Sequence, residues 1–187
     1  MAKIELNSAI RRIQGTMDNW VYRRNGDGVI IAKRPVNTKA PTAGQLAVRE
    51  LFRAAAAYAR SVQLDPVQRP RYAAVAKSKG QRAFAFAVAD FLTPPKVLAI
   101  DTSAYHGAVG GLIKVRATDT FEVLGVTVVM KDGDGGVIQQ GAAVLVDGVW
   151  QYAPTSNIAL GEAVTIEATA TDRPGHAGSL SLAHVVA

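Results

Sequence analysis

Thr93-Pro94-Pro95 divides the chain into two stretches that cannot fold in the same way. Consecutive prolines remove two backbone donors and fix φ, and they push the preceding residue away from helical geometry. No helix runs through such a site, and strands tolerate it only at an edge. Before it, apolar residues recur at helical spacing. After it come short Val-, Ile- and Thr-rich runs, separated by Gly, Asp and Pro clusters, the pattern of an all-β region. The pattern sets two domains, 1–95 and 96–187. Charge follows the same division. Residues 1–95 hold 16 Lys and Arg against 6 acids, and residues 96–187 hold 5 against 9. An asymmetry of this size suggests two modules with different partners.

The first module opens with NWVYRRNGDGVIIAKRP, positions 19–35. The stretch alternates, and Asn25-Gly26 is a strong hairpin signal because both residues accept positive φ. Trp20, Tyr22 and Arg24 fall on one face of the first strand, and Val21 and Arg23 on the other. Pro35 ends the second strand. Thr42 and Gln45 then form a T-x-x-Q capping box, a helix start. Val48, Leu51, Phe52, Ala55, Ala59 and Val62 form an apolar stripe, with Arg49, Arg53 and Arg60 on the opposite face. Asp65-Pro66 begins a second helical segment whose apolar side is Tyr72, Val75 and Ala76. Pro70 is expected to kink its first turn or delay its start, and Gly80 to end it. AFAFAVADFL alternates as a strand would, but its alanines favour a third helix, with Phe84, Ala87, Val88 and Phe91 on one stripe.

The second module has about seven strand-like runs in some 92 residues: KVLAID, GLIKVRAT, EVLGVTVVM, GGVIQQGAAVLV, GVWQYAPT, EAVTIEATATD and SLSLAHVV. That density suggests a β-sandwich of immunoglobulin type, with Trp150 and Tyr152 on one side, anchoring its core. The expected fold class is therefore α+β, a β-hairpin plus two or three helices, followed by an all-β immunoglobulin-like sandwich.

Four segments carry a resemblance: GTMDNWVYRRNG (15–26), RELFRAAAAYA (49–59), FAVADFLTPP (86–95) and TDRPG (171–175). Together they resemble a group of uncharacterised bacterial proteins that join a basic N-terminal hairpin-and-helix region to an Ig-like C-terminal domain. The resemblance covers nearly the whole chain. It implies the two-part architecture and supplies no catalytic residues. Pro70 departs from the more regular second helix of that pattern.

Chemistry is sparse. The chain has no cysteine, which excludes disulfides, thiolate metal sites and cysteine nucleophiles. His106, His176 and His184 have no metal-ligand spacing to another donor on a helix. There is no nucleophile elbow and no phosphate-binding glycine loop. In KDGDGG (131–136), Asp132 and Asp134 look like the opening of a calcium loop. Positions 135–143, however, contain no late bidentate acid. The better reading is a hairpin turn using Gly133 and Gly135 at positive φ. Asp172 in TDRPG reads as a turn cap. No apolar run is long enough to span a bilayer. The N-terminus lacks a secretory pattern, so synthesis in the cytoplasm is expected, with the final compartment open. No enzyme, cofactor or small-molecule substrate is indicated.

What remains is a basic surface: Arg11, Arg12, Arg23, Arg24, Lys33, Arg34, Arg49, Arg53, Arg60, Arg69, Arg71, Lys77, Lys79 and Arg82. A solvated face is one reading, since charged residues usually sit outside; the acids that normally intersperse such a face are few, which points instead to an acidic partner. Two partners fit. The first is another copy of the chain, since a basic half and an acidic half are complementary and head-to-tail contacts propagate into rings or filaments. The second is nucleic acid, gripped through phosphates without sequence preference. Self-association of a structural protein is the first choice. The expected contact residues are Trp20, Tyr22, Arg23, Arg24, Lys33, Arg34, Arg49, Arg53 and Arg60.

Overall fold

The computed structural model describes residues 3–4, 14–25, 28–36 and 39–187. The chain separates into two compact units, 1–46 and 47–187.

The first unit is built on an antiparallel sheet of four strands, β1 (Lys3–Ile4), β2 (Gly15–Met17), β3 (Trp20–Asn25) and β4 (Gly28–Lys33), in the order β1-β4-β3-β2. The expected hairpin is thus the centre of a sheet. A two-stranded hairpin is marginal alone, and two short flanking strands extend it. Trp20 pairs with Lys33, Tyr22 with Ile31 and Arg24 with Val29, which puts Trp20, Tyr22, Arg24 and Lys33 on one face as the alternation predicts. Asn25 pairs with Gly28, and between them stand Gly26 and Asp27. These two residues, with the expected turn, lie outside the described residues, as do Arg11 and Arg12.

Helix α1 (Ala43–Leu64) begins where the capping box predicts. The Gln45 N–H donates to Thr42 Oγ1 at 3.3 Å, and the Thr42 N–H donates to Gln45 Oε1 at 3.1 Å. Asp65 starts α2 (Gln68–Ser78) by accepting from the N–H groups of Val67 and Gln68 at 2.7 and 3.0 Å. Those bonds hold its carboxyl below the usual range. Pro70 sits in the first turn of α2, the part of a helix that tolerates proline best, and the helix runs on through it to Ser78. It neither delays nor ends the helix. Gly80, at φ +66, ends it: the Gly80 N–H donates to Lys77 O and the Gln81 N–H to Ala76 O, a Schellman closure.

Helix α3 (Ala83–Leu92) forms as the alanine content predicts. Of the expected stripe, Ala87 and Val88 are buried and Phe91 packs against the core, whereas Phe84 is exposed. Phe86 and Asp90 are buried as well, spaced i, i+4. An acid on that side is what a polarity scale does not anticipate.

Eight strands follow: β5 (Lys96–Ala104), β6 (Leu112–Thr118), β7 (Val123–Lys131), β8 (Val137–Ala142), β9 (Val144–Val146), β10 (Val149–Tyr152), β11 (Ala163–Asp172) and β12 (Ala177–Val185). They make two antiparallel sheets, ordered β5-β6-β10-β9 and β12-β11-β7-β8. The inward residues of both sheets share one core, with Ile113, Val115 and Tyr152 from one and Val126, Val128, Met130, Ile166 and Ala168 from the other. Trp150 packs at its margin. The expected single run 135–146 is two strands, because the chain changes sheets at Ala143. That residue is buried and its N–H donates to Val126 O at 2.8 Å.

The helices do not form a domain with the N-terminal sheet, as the boundary at 95/96 implied. The boundary between the units falls inside α1, and the rest of α1, with α2 and α3, belongs to the same unit as β5 to β12. Phe121, between β6 and β7, stacks on Tyr72 with ring centroids 4.1 Å apart and also meets Phe86 edge-on. Arg71 reaches Glu122 at 2.6 Å, and Lys79 donates to Thr120 O at 2.9 Å. Charge composition changes at Pro94-Pro95, but aromatic burial continues across it.

Candidate association surfaces

The nine expected contact residues fall into two sets, one in each unit. Trp20, Tyr22, Arg23, Arg24, Lys33 and Arg34 lie on and just beyond β3 and β4. Trp20 is 49% exposed, Tyr22 is half-buried and the four cations are exposed. Arg23 and Arg24 are consecutive on a strand and so face opposite sides of the sheet. Arg49, Arg53 and Arg60 are exposed along one side of α1. Arg53 pairs with Glu50 of its own helix at 2.7 Å.

The helix also carries a bare apolar surface that the expected contact residues do not include. Its apolar stripe is continuous, but only its C-terminal half is covered. Ala55, Ala59 and Val62 are buried among Tyr72, Phe86 and their neighbours. On the same face one to two turns earlier, Val48, Leu51 and Phe52 are 65%, 51% and 55% exposed. A bare apolar stripe of this kind is what marks an interaction site on an otherwise polar surface. The signal was present in the stripe's length. Six positions over fifteen residues make a longer stripe than the two short helices that follow can cover.

A second bare apolar surface lies on the strands. Among the described residues, β9 ends its sheet and pairs only with β10. Val144, Leu145 and Val146 are 65%, 54% and 39% exposed. Edge strands usually carry charges or prolines that discourage pairing, and β9 has neither. Its hairpin to β10 turns on Asp147 and Gly148, both at positive φ, the geometry of a tight hairpin turn.

A polar network is buried where α1, α2 and α3 meet the strands. Tyr72 Oη donates to Asp90 Oδ2 at 2.6 Å, and the Tyr58 and Tyr72 hydroxyls are 2.7 Å apart. With the Tyr72 proton committed to Asp90, Tyr58 is the donor in the second bond. Burial is the main cause that raises the Asp90 carboxyl, to about 6. The Tyr72 bond opposes the rise, and the fields of Asp119 and Asp172 add to it. Burial also raises the Tyr72 hydroxyl. Asp119 Oδ2 accepts from the N–H groups of Phe121 and Glu122, each at 3.1 Å. Glu122 is held by Arg71 on one oxygen and Arg173 on the other. Asp172 accepts from the His176 N–H at 2.6 Å and caps its turn as expected. The network ties elements together and contains no nucleophile–base pair opening onto a cleft. The sequence hint was Asp90 itself, an acid inside an otherwise apolar decapeptide.

The KDGDGG loop is a hairpin turn. Asp132 Oδ1 accepts from the N–H groups of Asp134 and Gly136 at 3.0 and 2.7 Å. Gly135 has positive φ, at +87, but Gly133 does not. Asp132 therefore spends its side chain on the turn. A cleft of about 620 Å³ beside β5 and β6 is lined by residues including Asp101, Lys114 and Arg116. Asp101 accepts from the Ser103 N–H at 2.9 Å, and that bond holds its carboxyl low. Among the described residues, no helix is long and apolar enough to cross a membrane.

No protein-family model matches the chain, and no curated protein is significantly similar to it. Among solved structures, CopC from Methylosinus trichosporium OB3b is similar over 49% of this chain and 91% of its own, at 20% identity and a TM-score of 0.37. A β-glucuronidase from Ruminococcus gnavus is similar over 50% of this chain and 15% of its own, at 18% identity and a TM-score of 0.29. A conjugative transposon lipoprotein from Bacteroides eggerthii is similar over 48% of this chain and 92% of its own, at 12% identity and a TM-score of 0.24. Similarities this slight assign neither a family nor a function.

Proposed function

We propose that this is a non-enzymatic structural protein that self-associates into a larger assembly through its N-terminal region and an immunoglobulin-like sandwich. The observation that carries the reading is the uncovered half of the α1 stripe. Val48, Leu51 and Phe52 continue a buried face into solvent. Burying a large aliphatic or aromatic side chain contributes about 1.5–3 kcal/mol, so three bare ones favour association. The immunoglobulin-like assignment is supported by two four-stranded antiparallel sheets sharing a core and by a strand that changes sheets at Ala143. The bare edge at β9 adds a second surface open to contact.

The test is sedimentation velocity over a wide concentration series, before and after nuclease treatment. Growth of the sedimentation coefficient with concentration, unchanged by nuclease, supports self-association. A single monomeric species at every concentration would overturn it.

The exposed cations of β3 and β4 favour a second reading, binding of nucleic acid through phosphates. Affinity would then fall with salt by roughly 0.9 per phosphate contact on a log–log plot. An aromatic protein interface is far less sensitive, because salt does not screen apolar contacts. Particles that vanish on nuclease treatment would favour this reading.

A further inference from the structure

We infer that the uncovered half of α1 in one copy is occupied by the β9 edge of a second copy, in a head-to-tail contact. This deepens the self-association reading and rests on it.

Three observations select this occupant. The first is that the two surfaces match in chemistry and size. Val48 to Phe52 rise about 6 Å along the helix, and Val144 to Val146 extend about 7 Å along the strand. The helix presents three apolar side chains to solvent, and the strand presents Leu145 on one face of its sheet with Val144 and Val146 on the other. The second is charge. The first turn of α1 contains no acid, so the positive end of its dipole is uncompensated, and Arg49 makes no ion pair among the described residues. Asp147 follows β9 directly and stands at the tip of its hairpin. The β9 hairpin therefore brings an acid to a cationic helix end, whereas packing α1 against a second α1 sets two cationic ends together. The third is that β9 is an unprotected edge. An exposed apolar edge strand with no charge of its own is a liability unless something covers it. Each chain holds one copy of both surfaces, so a contact between them is heterologous and leaves a free surface at either end. Assembly by this contact continues into a filament or closes as a ring.

The experiment separates the two surfaces. A helix-blocked variant carries Leu51→Glu with Phe52→Glu, and an edge-blocked variant carries Leu145→Lys. All three positions are exposed, and a thermal melt checks that both variants fold. A milder helix variant, Leu51→Ser with Phe52→Ser, replaces the first if it does not. Each variant alone is expected to be monomeric at concentrations where the wild type grows, with association weakened at least tenfold. Mixed in equal amounts they are expected to form a one-to-one dimer that grows no further, because the mixture holds one intact helix face and one intact edge. If the edge-blocked variant alone grows like the wild type, β9 is not the occupant, although self-association stands. If both folded variants are monomeric and their mixture forms no dimer, the head-to-tail contact is overturned. A wild type that never associates refutes the underlying reading instead.

Discussion

The two halves of helix α1 share one apolar face and have opposite fates. From Ala55 to Val62 the face is buried under the aromatic residues of α2 and α3. From Val48 to Phe52 the same face is open to solvent. The residue pattern is continuous across the change. Periodicity states which side chains favour burial, and it is silent on whether the covering partner is in the same chain. The difference lies in what stands opposite. Tyr72 and Phe86 cover the C-terminal half, and Phe121 completes that cluster from between β6 and β7.

The comparison can be broken most severely at its covered half. Tyr72→Ala removes a fully buried ring and leaves Asp90 without its hydrogen bond. The expected loss is about 4 kcal/mol or more, from the cavity and the unpaired carboxylate together. Chemical denaturation measures it, and a loss under 1 kcal/mol would mean that the helical cluster contributes little. Phe121→Ala comes next, at about 3 kcal/mol. It should also lower the cooperativity of unfolding, since Phe121, with Phe91 against His176, is one of the rings that join helices to strands. An unchanged single transition at unchanged stability would return the helices to a domain of their own.

A smaller effect sharpens the role of Asp90. Its folded value, about 6, lies above the 3.8 of a free side chain. The folded state therefore holds the proton more tightly. The stability this contributes is full below pH 4 and is lost as pH rises through 6. The loss is about 3 kcal/mol at most. Asp90→Asn cannot titrate, so its stability relative to wild type should improve steadily between pH 4 and pH 7. An equal difference at both ends of that window would show that Asp90 does not govern the dependence. The smallest effect belongs to the bare half. Leu51→Ala should change the stability of the monomer by no more than about 0.5 kcal/mol, against several for a covered residue.

Much of the local structure was legible because short-range rules decide it. Thr42 and Gln45 make the capping box that their spacing announces, Gly80 ends α2 at positive φ, and the β-rich runs after Pro95 become strands. What could not be read depends on distant partners. Ala143 switches sheets inside a run that looks uniform. Asp90 faces inward, where one of its oxygens accepts from Tyr72, a partner eighteen residues away. The 95/96 boundary followed charge and proline, whereas Phe121 carries the core across it. The candidate surface was legible only in part. Its arginines stand out by charge, but Val48, Leu51 and Phe52 read only as part of an apolar stripe, which does not say where the cover ends.

The central claim is that copies meet on the uncovered half of α1. The chain contains no cysteine, so Phe52→Cys supplies a unique thiol on that face, and Leu64→Cys supplies one at the exposed far end of the same helix. The measurement is the rate of thiol labelling for each variant as protein concentration is raised through the range of association. Labelling at position 52 is predicted to slow at least fivefold while labelling at position 64 stays constant. Equal and unchanging rates at both positions, in a protein that has demonstrably assembled, would place the contact elsewhere and contradict the account.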